Sequence, residues 1–443
     1  MTERVSASPT KDFFISMITR DISLEDCILD LLDNAIDGAR SQLTRATAHE
    51  SSLTRFAGFH VEIFVAKEKF AIVDNCGGIA IKQAKSYAFH FGRKRDAPAG
   101  APESVGLYGI GMKRAMFKIG RTIVVKSSTA TESFVVPIDV NTWSDDDQNW
   151  DFALEPGPAK SETGTVIEIV DLNIGVGDEF ADPVFVEGLK SMLARDYSLV
   201  LRDGLTVQVN EAPVLPFEFG WLESTDFEPV NFVYDDGSVE VEITAGLSRV
   251  PPEEDDPGGP QLPDTQYYGW FVVCNDRVVL AGNKDDKTVW GDGVFPGWHP
   301  QYNGFSGTVS FRADDPAKLP WTTTKRGVDQ TAPIYRRAIV RMKECTRTYI
   351  DYTNARKQDL EEAKRREQAA RIVATPAQRN VMKVPQLAVP AIQRTKMASI
   401  SYSVPERDFV KVARALGNER MLRREVGLRT FSFFKERMLE GED

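Results

Sequence analysis

Asp30-Leu31-Leu32-Asp33-Asn34-Ala35-Ile36-Asp37 lies in a run, Ser23 to about Arg40, that reads as a helix with two chemically distinct faces. Leu24, Ile28, Leu31, Leu32 and Ala35 recur at helical spacing and face a core, while Asp30, Asn34 and Asp37 stand at i, i+4 and i+7 on another face. Two acids and an amide stacked over two turns form a strip of oxygen ligands. Such a strip can hold a hard cation such as Mg²⁺ and can place a carboxylate beside an attacking water. Alone, such a stripe is more often just the solvated face of an amphipathic helix.

Two further stretches change its meaning. Ala71-Ile72-Val73-Asp74-Asn75-Cys76-Gly77-Gly78-Ile79 is an apolar strand that runs into an acid and then two glycines. Glycines let the backbone turn sharply and approach a ligand, and a carboxylate at a strand end can accept a hydrogen bond from an exocyclic amine. Gly106-Leu107-Tyr108-Gly109-Ile110-Gly111-Met112-Lys113 then leads into a helical stretch, Arg114 to Ile119. Closely spaced glycines before a helix N-terminus expose N–H groups to an anion, and Lys113 adds a point charge. The stretch follows no βαβ start and lacks Gly-Lys-Ser/Thr, so it is neither a Rossmann nor a P-loop sequence.

In this order and combination the three stretches resemble the motifs of the GHKL (Bergerat-fold) ATPases. Asp30 to Asp37 is similar to their N box, Asp74 to Gly78 to their adenine-binding motif, and Gly106 to Lys113 to their glycine-rich motif at the end of the lid. Gly164-Thr165, opening the strand Val166 to Val170, resembles their fourth motif. The resemblance implies an α+β Bergerat-fold domain, with helices on one face of a mixed sheet, that takes ATP and Mg²⁺. It implies Asn34 as the Mg²⁺ ligand and Asp74 on the adenine amino group with Thr165 nearby. Asp37, Gly78, Gly106, Tyr108, Gly109, Ile110, Gly111, Met112 and Lys113 complete the implied ATP contacts, and Ile79 to Val105 is the implied lid.

Farther along, Leu319-Pro320-Trp321-Thr322-Thr323-Thr324-Lys325 resembles the loop of the transducer domain in gyrase, MutL and MORC-type ATPases that reaches the γ-phosphate with a lysine. The layout is similar to prokaryotic MORC-like and MutL-like ATPases, a kind met in antiviral defence gene sets. Two positions depart from the family pattern. Asp30 stands where glutamate is usual as general base, one methylene shorter, which points to slow turnover or binding without hydrolysis. Cys76 stands where the first glycine of the adenine motif is usual.

The pattern divides the chain into an ATP-binding domain (1–175), a transducer-like α/β domain (176–334), a long helix (335–372) and a linker with a small basic helical module (373–443). In the second region, Gly269 to Cys274 and Arg277 to Leu280 flank Asn275-Asp276, residue types that tolerate the positive φ angles of a two-residue hairpin turn. Pro251 to Pro260 reads as an exposed insertion. Tyr335 to about Ile372 contains no glycine or proline and reads as a helix roughly 55 Å long. Its apolar seam, Tyr335, Ala338, Met342, Cys345, Tyr349 and Tyr352, breaks at Arg356 and Asp359, so the first half is expected to pack and the second to be solvated or to await a partner.

Composition narrows the classes. No stretch approaches the roughly 20 apolar residues of a membrane helix, and Met1-Thr2-Glu3-Arg4 does not open a secretory signal, which points to the cytoplasm. Cys27, Cys76, Cys274 and Cys345, and the four histidines, are too scattered for a zinc site or a disulfide framework. The net charge of −11 hides a split. From Tyr335 onward 24 Lys and Arg face 14 Asp and Glu, a net of +10, whereas residues 1–334 net −21. A basic tail of this kind fits DNA, and it equally fits neutralisation of its own acidic body.

The function expected is an ATP-gated switch that closes as a homodimer and acts on DNA or on a partner effector protein. A nucleotide-stabilised scaffold and a chaperone-like ATPase are the alternatives. No phosphoacceptor helix supports a histidine kinase, and the tail holds no histidine with which to build a nuclease metal site.

Overall fold

The computed structural model describes residues 9–45, 54–92, 102–106, 109–251, 266–377, 381–387 and 400–439. It separates into two compact units, 1–389 and 390–443. Tyr108, residues 93–101 of the lid and most of the Pro251–Pro260 insertion lie outside the described residues.

Eight strands form the first sheet: β1 (His60–Ala66), β2 (Lys69–Asp74), β3 (Gly120–Ser128), β4 (Glu132–Asp139), β5 (Glu155–Pro158), β6 (Gly164–Leu172), β7 (Thr206–Val209) and β8 (Ala212–Pro213). Their order is β5-β4-β3-β6-β2-β1-β7-β8, antiparallel except for the β1–β7 pair. Alternation decides the faces. Val61, Ile63, Ile123, Val125, Phe134, Val136, Ile167 and Ile169 turn inward, whereas Glu168 on the other face pairs with Lys69 at 2.8 Å and Lys126 at 2.6 Å. Helices therefore cover one face and the other is charged, as the sequence pattern implies. The helix Leu24–Arg45 starts where the Ser23 hydroxyl accepts from the Asp26 amide, and it packs beside the helix Gly111–Ile119 on this buried face.

The expected domain boundary at 175 falls inside this assembly. The helix Pro183–Asp196 contributes Leu189 and Leu193 to the same core, and β7 and β8 extend the same sheet to Pro213.

A second sheet contains β10 (Val230–Asp236), β11 (Val239–Leu247), β12 (Gly269–Cys274), β13 (Arg277–Asn283) and β14 (Phe305–Arg312), in the order β10-β11-β14-β12-β13. Every residue of β12 is buried, with Trp270, Val272 and Cys274 in one core and Phe271 and Val273 in another. The β12–β13 turn is the two-residue turn expected: Asn275 and Asp276 take φ of 46° and 64° between the paired Cys274 and Arg277. A small ladder joins β9 (Trp221–Glu223) to β15 (Arg371–Val373).

The run after Pro333 is not one long helix. The helix Pro333–Arg356 buries the whole expected seam against the second sheet and then stops. Asp359 caps a separate helix, Leu360–Gln368, by accepting from the Glu362 amide, and that helix folds back. Its Glu367, fully buried, accepts from Arg356 at 2.7 and 3.0 Å and from Tyr352 at 2.6 Å. The second half is thus packed rather than solvated, because a buried carboxylate meets its counter-charge at the break.

The unit 390–443 holds two helices, Glu406–Ala415 and Arg423–Leu439, joined through Gly417 and packed on Ala413, Met421 and Val426.

Candidate nucleotide-binding site

Strand register assembles the first half of the site. Asp74 on β2 stands opposite Thr165 on β6, and Thr165 stands opposite Ser127 on β3. Asp74 Oδ1 accepts from the Cys76 amide at 2.8 Å and the Thr165 amide at 3.3 Å. Among the described residues, both of its hydrogen bonds use that oxygen. Burial pushes the Asp74 carboxyl up to about 6, only partly offset by the two amides. The Ser127 hydroxyl accepts from the Ile79 amide at 2.7 Å and lies 3.0 Å from Thr165 Oγ1. Close backbone approach explains two glycines: a Cβ on Gly78 would lie 2.1 Å from the Ser128 carbonyl oxygen, and one on Gly164 would lie 1.9 Å from that of Asp74.

The cavity above this sheet end has apolar walls from Leu31, Ala35, Ile72, Ile79, Met112 and Ile167, with Asn34, Asp74 and Thr165 as its polar points. Asn34 is exposed toward it, whereas its helix neighbours Asp30 and Asp33 are buried. The three residues of the expected strip have separate tasks. Asp37 accepts from the Val105 and Gly106 amides at 2.8 and 2.7 Å and so fastens the end of the lid segment to the helix. Burial raises its carboxyl, against the pull of Arg40 and the two amides. Asp30 faces the start of the helix Gly111–Ile119, where Arg114 Nη2 reaches its Oδ2 at 2.5 Å.

Gly109 takes φ of 69° and Ile110 precedes the first helical residue, Gly111, so the helix N-terminus opens beside Asp30. Lys113 does not stand free. Its ammonium is buried and donates to the carbonyls of Ala88 at 2.9 Å and Gly109 at 2.5 Å. Burial lowers it to about 7.

Lys325 reaches the same helix from the second sheet's side of the chain. It sits at φ 56° in the tight turn closed by Thr322 and Gly327, and its Nζ lies 2.7 Å from Asp33 Oδ2 and 3.6 Å from Asp30 Oδ1. Asp33 also accepts from Arg277, the residue after the hairpin turn, and from the Tyr197 hydroxyl at 2.8 Å. Burial alone would raise Asp33, but Arg277 and Lys325 together outweigh it and hold the carboxyl below its ordinary range. The next loop residue, Arg326, pairs with Asp26 and with Asp196 at 2.5 Å. The hairpin tip adds Asn275 Nδ2 to the Ser104 carbonyl at 3.0 Å and Asp276 to Arg55 at 2.8 Å.

Sequence reasoning had not assigned Asp33, Arg114, Ser127, Tyr197 or Arg277 to the site. One signal was present: Asp33 shares the helix side of Leu29, Ile36 and Arg40, where a charge demands a partner.

A carboxylate at the end of a sheet strand, an apolar slot above it and a helix N-terminus beside it define a nucleotide-binding domain. Residues 22–168, about a third of the chain, match the family described as Histidine kinase-, DNA gyrase B-, and HSP90-like ATPase, so this stretch is a GHKL-type ATPase domain, a type that binds ATP. No protein of curated description matches the chain significantly. Among the described residues no helix is long and apolar enough to cross a membrane.

The residues fit ATP. Asp74 lines the apolar slot with a carboxylate, the kind of group that can accept from an exocyclic amine. They also suit Mg²⁺ in the manner it prefers, with few protein ligands and its other positions on phosphate oxygens and water. Asn34 is an exposed oxygen ligand on the strip, and no group of three or more His, Cys, Asp or Glu among the described residues could cage a metal.

Proposed function

We propose that this chain is a Mg²⁺-dependent ATPase whose nucleotide cycle moves the Lys325 loop against the ATP-binding domain, making it a conformational switch. The observation that carries the reading is Lys325: a loop residue of the second region whose ammonium lies between Asp30 and Asp33 on the helix of the ATP site. In this reading Asp74 receives the adenine amine, and Asn34 would hold the Mg²⁺, which would supply neutralisation of phosphate charge. Lys325 exchanges Asp33 for the γ-phosphate. Asp30 orients a water whose oxygen attacks the γ-phosphorus as the bond to the bridging oxygen breaks; the water's proton passes to Asp30 and the electron pair leaves with ADP.

The switch works as a homodimer that closes on ATP, and its basic region after Tyr335 contacts DNA or a partner effector protein. Light scattering with a non-hydrolysable analogue reads closure as a monomer-to-dimer shift. No shift with or without a DNA duplex removes the dimer from the proposal.

The central test is phosphate release from Mg²⁺-ATP. Wild type is expected to turn over slowly, and Asp30→Ala is expected to lose at least about 100-fold while still binding nucleotide. Tight binding without release by wild type favours the scaffold reading, for which the engagement of both Asp30 oxygens by cations speaks.

A further inference from the structure

Asp30 is held from two sides. Arg114 Nη2 lies 2.5 Å from Oδ2, and Lys325 Nζ lies 3.6 Å from Oδ1. The two cations differ in what carries them. Lys325 stands on a loop of the second region and shares itself with Asp33 at 2.7 Å, whereas Arg114 belongs to the ATP-binding domain, one turn into the helix Gly111–Ile119. That helix is packed so closely on the helix of Asp30 that a Cβ at Gly111 would lie 3.2 Å from the Asp30 carboxyl carbon. In the proposed cycle, a movement of the second region would change the distance from Asp30 to Lys325, whereas Arg114 stays on a helix packed against that of Asp30.

We infer that Arg114 is the positioning residue for Asp30 in ATP hydrolysis, fixing which carboxylate oxygen faces the water. The inference rests on the hydrolytic reading above. Aspartate is one methylene shorter than glutamate, so its carboxylate stays near its own helix and needs an anchor to present one oxygen outward. A guanidinium supplies it: a charge-assisted hydrogen bond of this length fixes Oδ2, and a group that never deprotonates cannot take the proton meant for Oδ1. Lys113, the next residue back, turns instead to the carbonyls of Ala88 and Gly109, so these two neighbouring cations do not substitute for each other.

The test compares wild type, Arg114→Gln and Arg114→Lys. Arg114→Gln is expected to lower kcat about 10- to 100-fold while affinity for a non-hydrolysable ATP analogue stays within about threefold. Loss of the nearby positive charge moves the acid limb of the kcat–pH profile to higher pH, and Arg114→Lys restores part of both the rate and the profile. Turnover in Arg114→Gln equal to wild type overturns the inference alone. So does a parallel fall of kcat and affinity with an unmoved profile, which marks a structural role. Absence of turnover in wild type overturns the hydrolytic reading and this inference with it.

Discussion

Around Asp74 the site is made from one sheet, through backbone amides two and 91 residues away and a serine two strands over. Around Asp33 it is made from charges that arrive 244 and 292 residues later, on a hairpin and a loop of the second region. Both carboxylates are removed from water, yet one is raised and the other lowered, because burial outweighs the two amides at Asp74, whereas the two cations at Asp33 outweigh its burial. The first arrangement leaves acceptor capacity for a ligand. The second spends it on holding two regions together. In the proposed reading, recognition of the base is therefore a property of the first domain, and sensing at the phosphate end is a property of the pair.

Three substitutions sharpen this contrast. The largest effect is expected at Asp33. Asp33→Asn leaves Arg277 and Lys325 buried without their anion, at a cost of about 3–5 kcal/mol, read from urea unfolding. An unchanged midpoint would mean that the two regions are not joined through this charge.

Asp74→Asn is expected to work in the opposite direction. In the native state Asp74 titrates near 6, above its ordinary 3.8, so the folded protein binds the extra proton and stability falls as pH rises across that interval. Asparagine removes the fall, giving a gain of about 1–3 kcal/mol at pH 7.5 together with at least a tenfold loss of adenine-nucleotide affinity. Wild-type affinity should be roughly fourfold weaker at pH 5.5 than at pH 7.5, as the acceptor oxygen becomes protonated. Calorimetric titration at both pH values decides it; a flat profile removes Asp74 as the acceptor.

Ser127→Ala is the mildest. Losing the hydroxyl between the Ile79 amide and Thr165 should cost about 1 kcal/mol of binding, roughly a fivefold change in Kd, with turnover at saturation unchanged. A larger loss in kcat than in affinity would tie the adenine end to the chemistry after all.

What could be read in the sequence follows the same division. The helix faces, the strand ending in Asp74 and the Asn275-Asp276 turn were legible because local periodicity and backbone preference specify them within a few residues. Asp33 was not, since its meaning lies in Arg277 and Lys325, which no local pattern connects to it. Arg114 was hidden similarly, beside a lysine that drew the phosphate role and then turned out to bind carbonyls. The break in the helix after Arg356 was legible in hindsight: Asp359 followed three residues later by Glu362 is a helix-start signature, and hydrophobic spacing alone carried the expectation past it.

The buried hairpin tip sets an order of manufacture. During synthesis the helix of the ATP site emerges first, and its Asp33 has no counter-charge until Arg277 and then Lys325 leave the ribosome. A fragment ending where the first sheet ends would keep the Tyr197 hydroxyl on Asp33 but lack both of its counter-charges, and would fold to something weaker than the same residues in the whole chain. The ATP-binding domain is thus finished by residues that it does not itself encode.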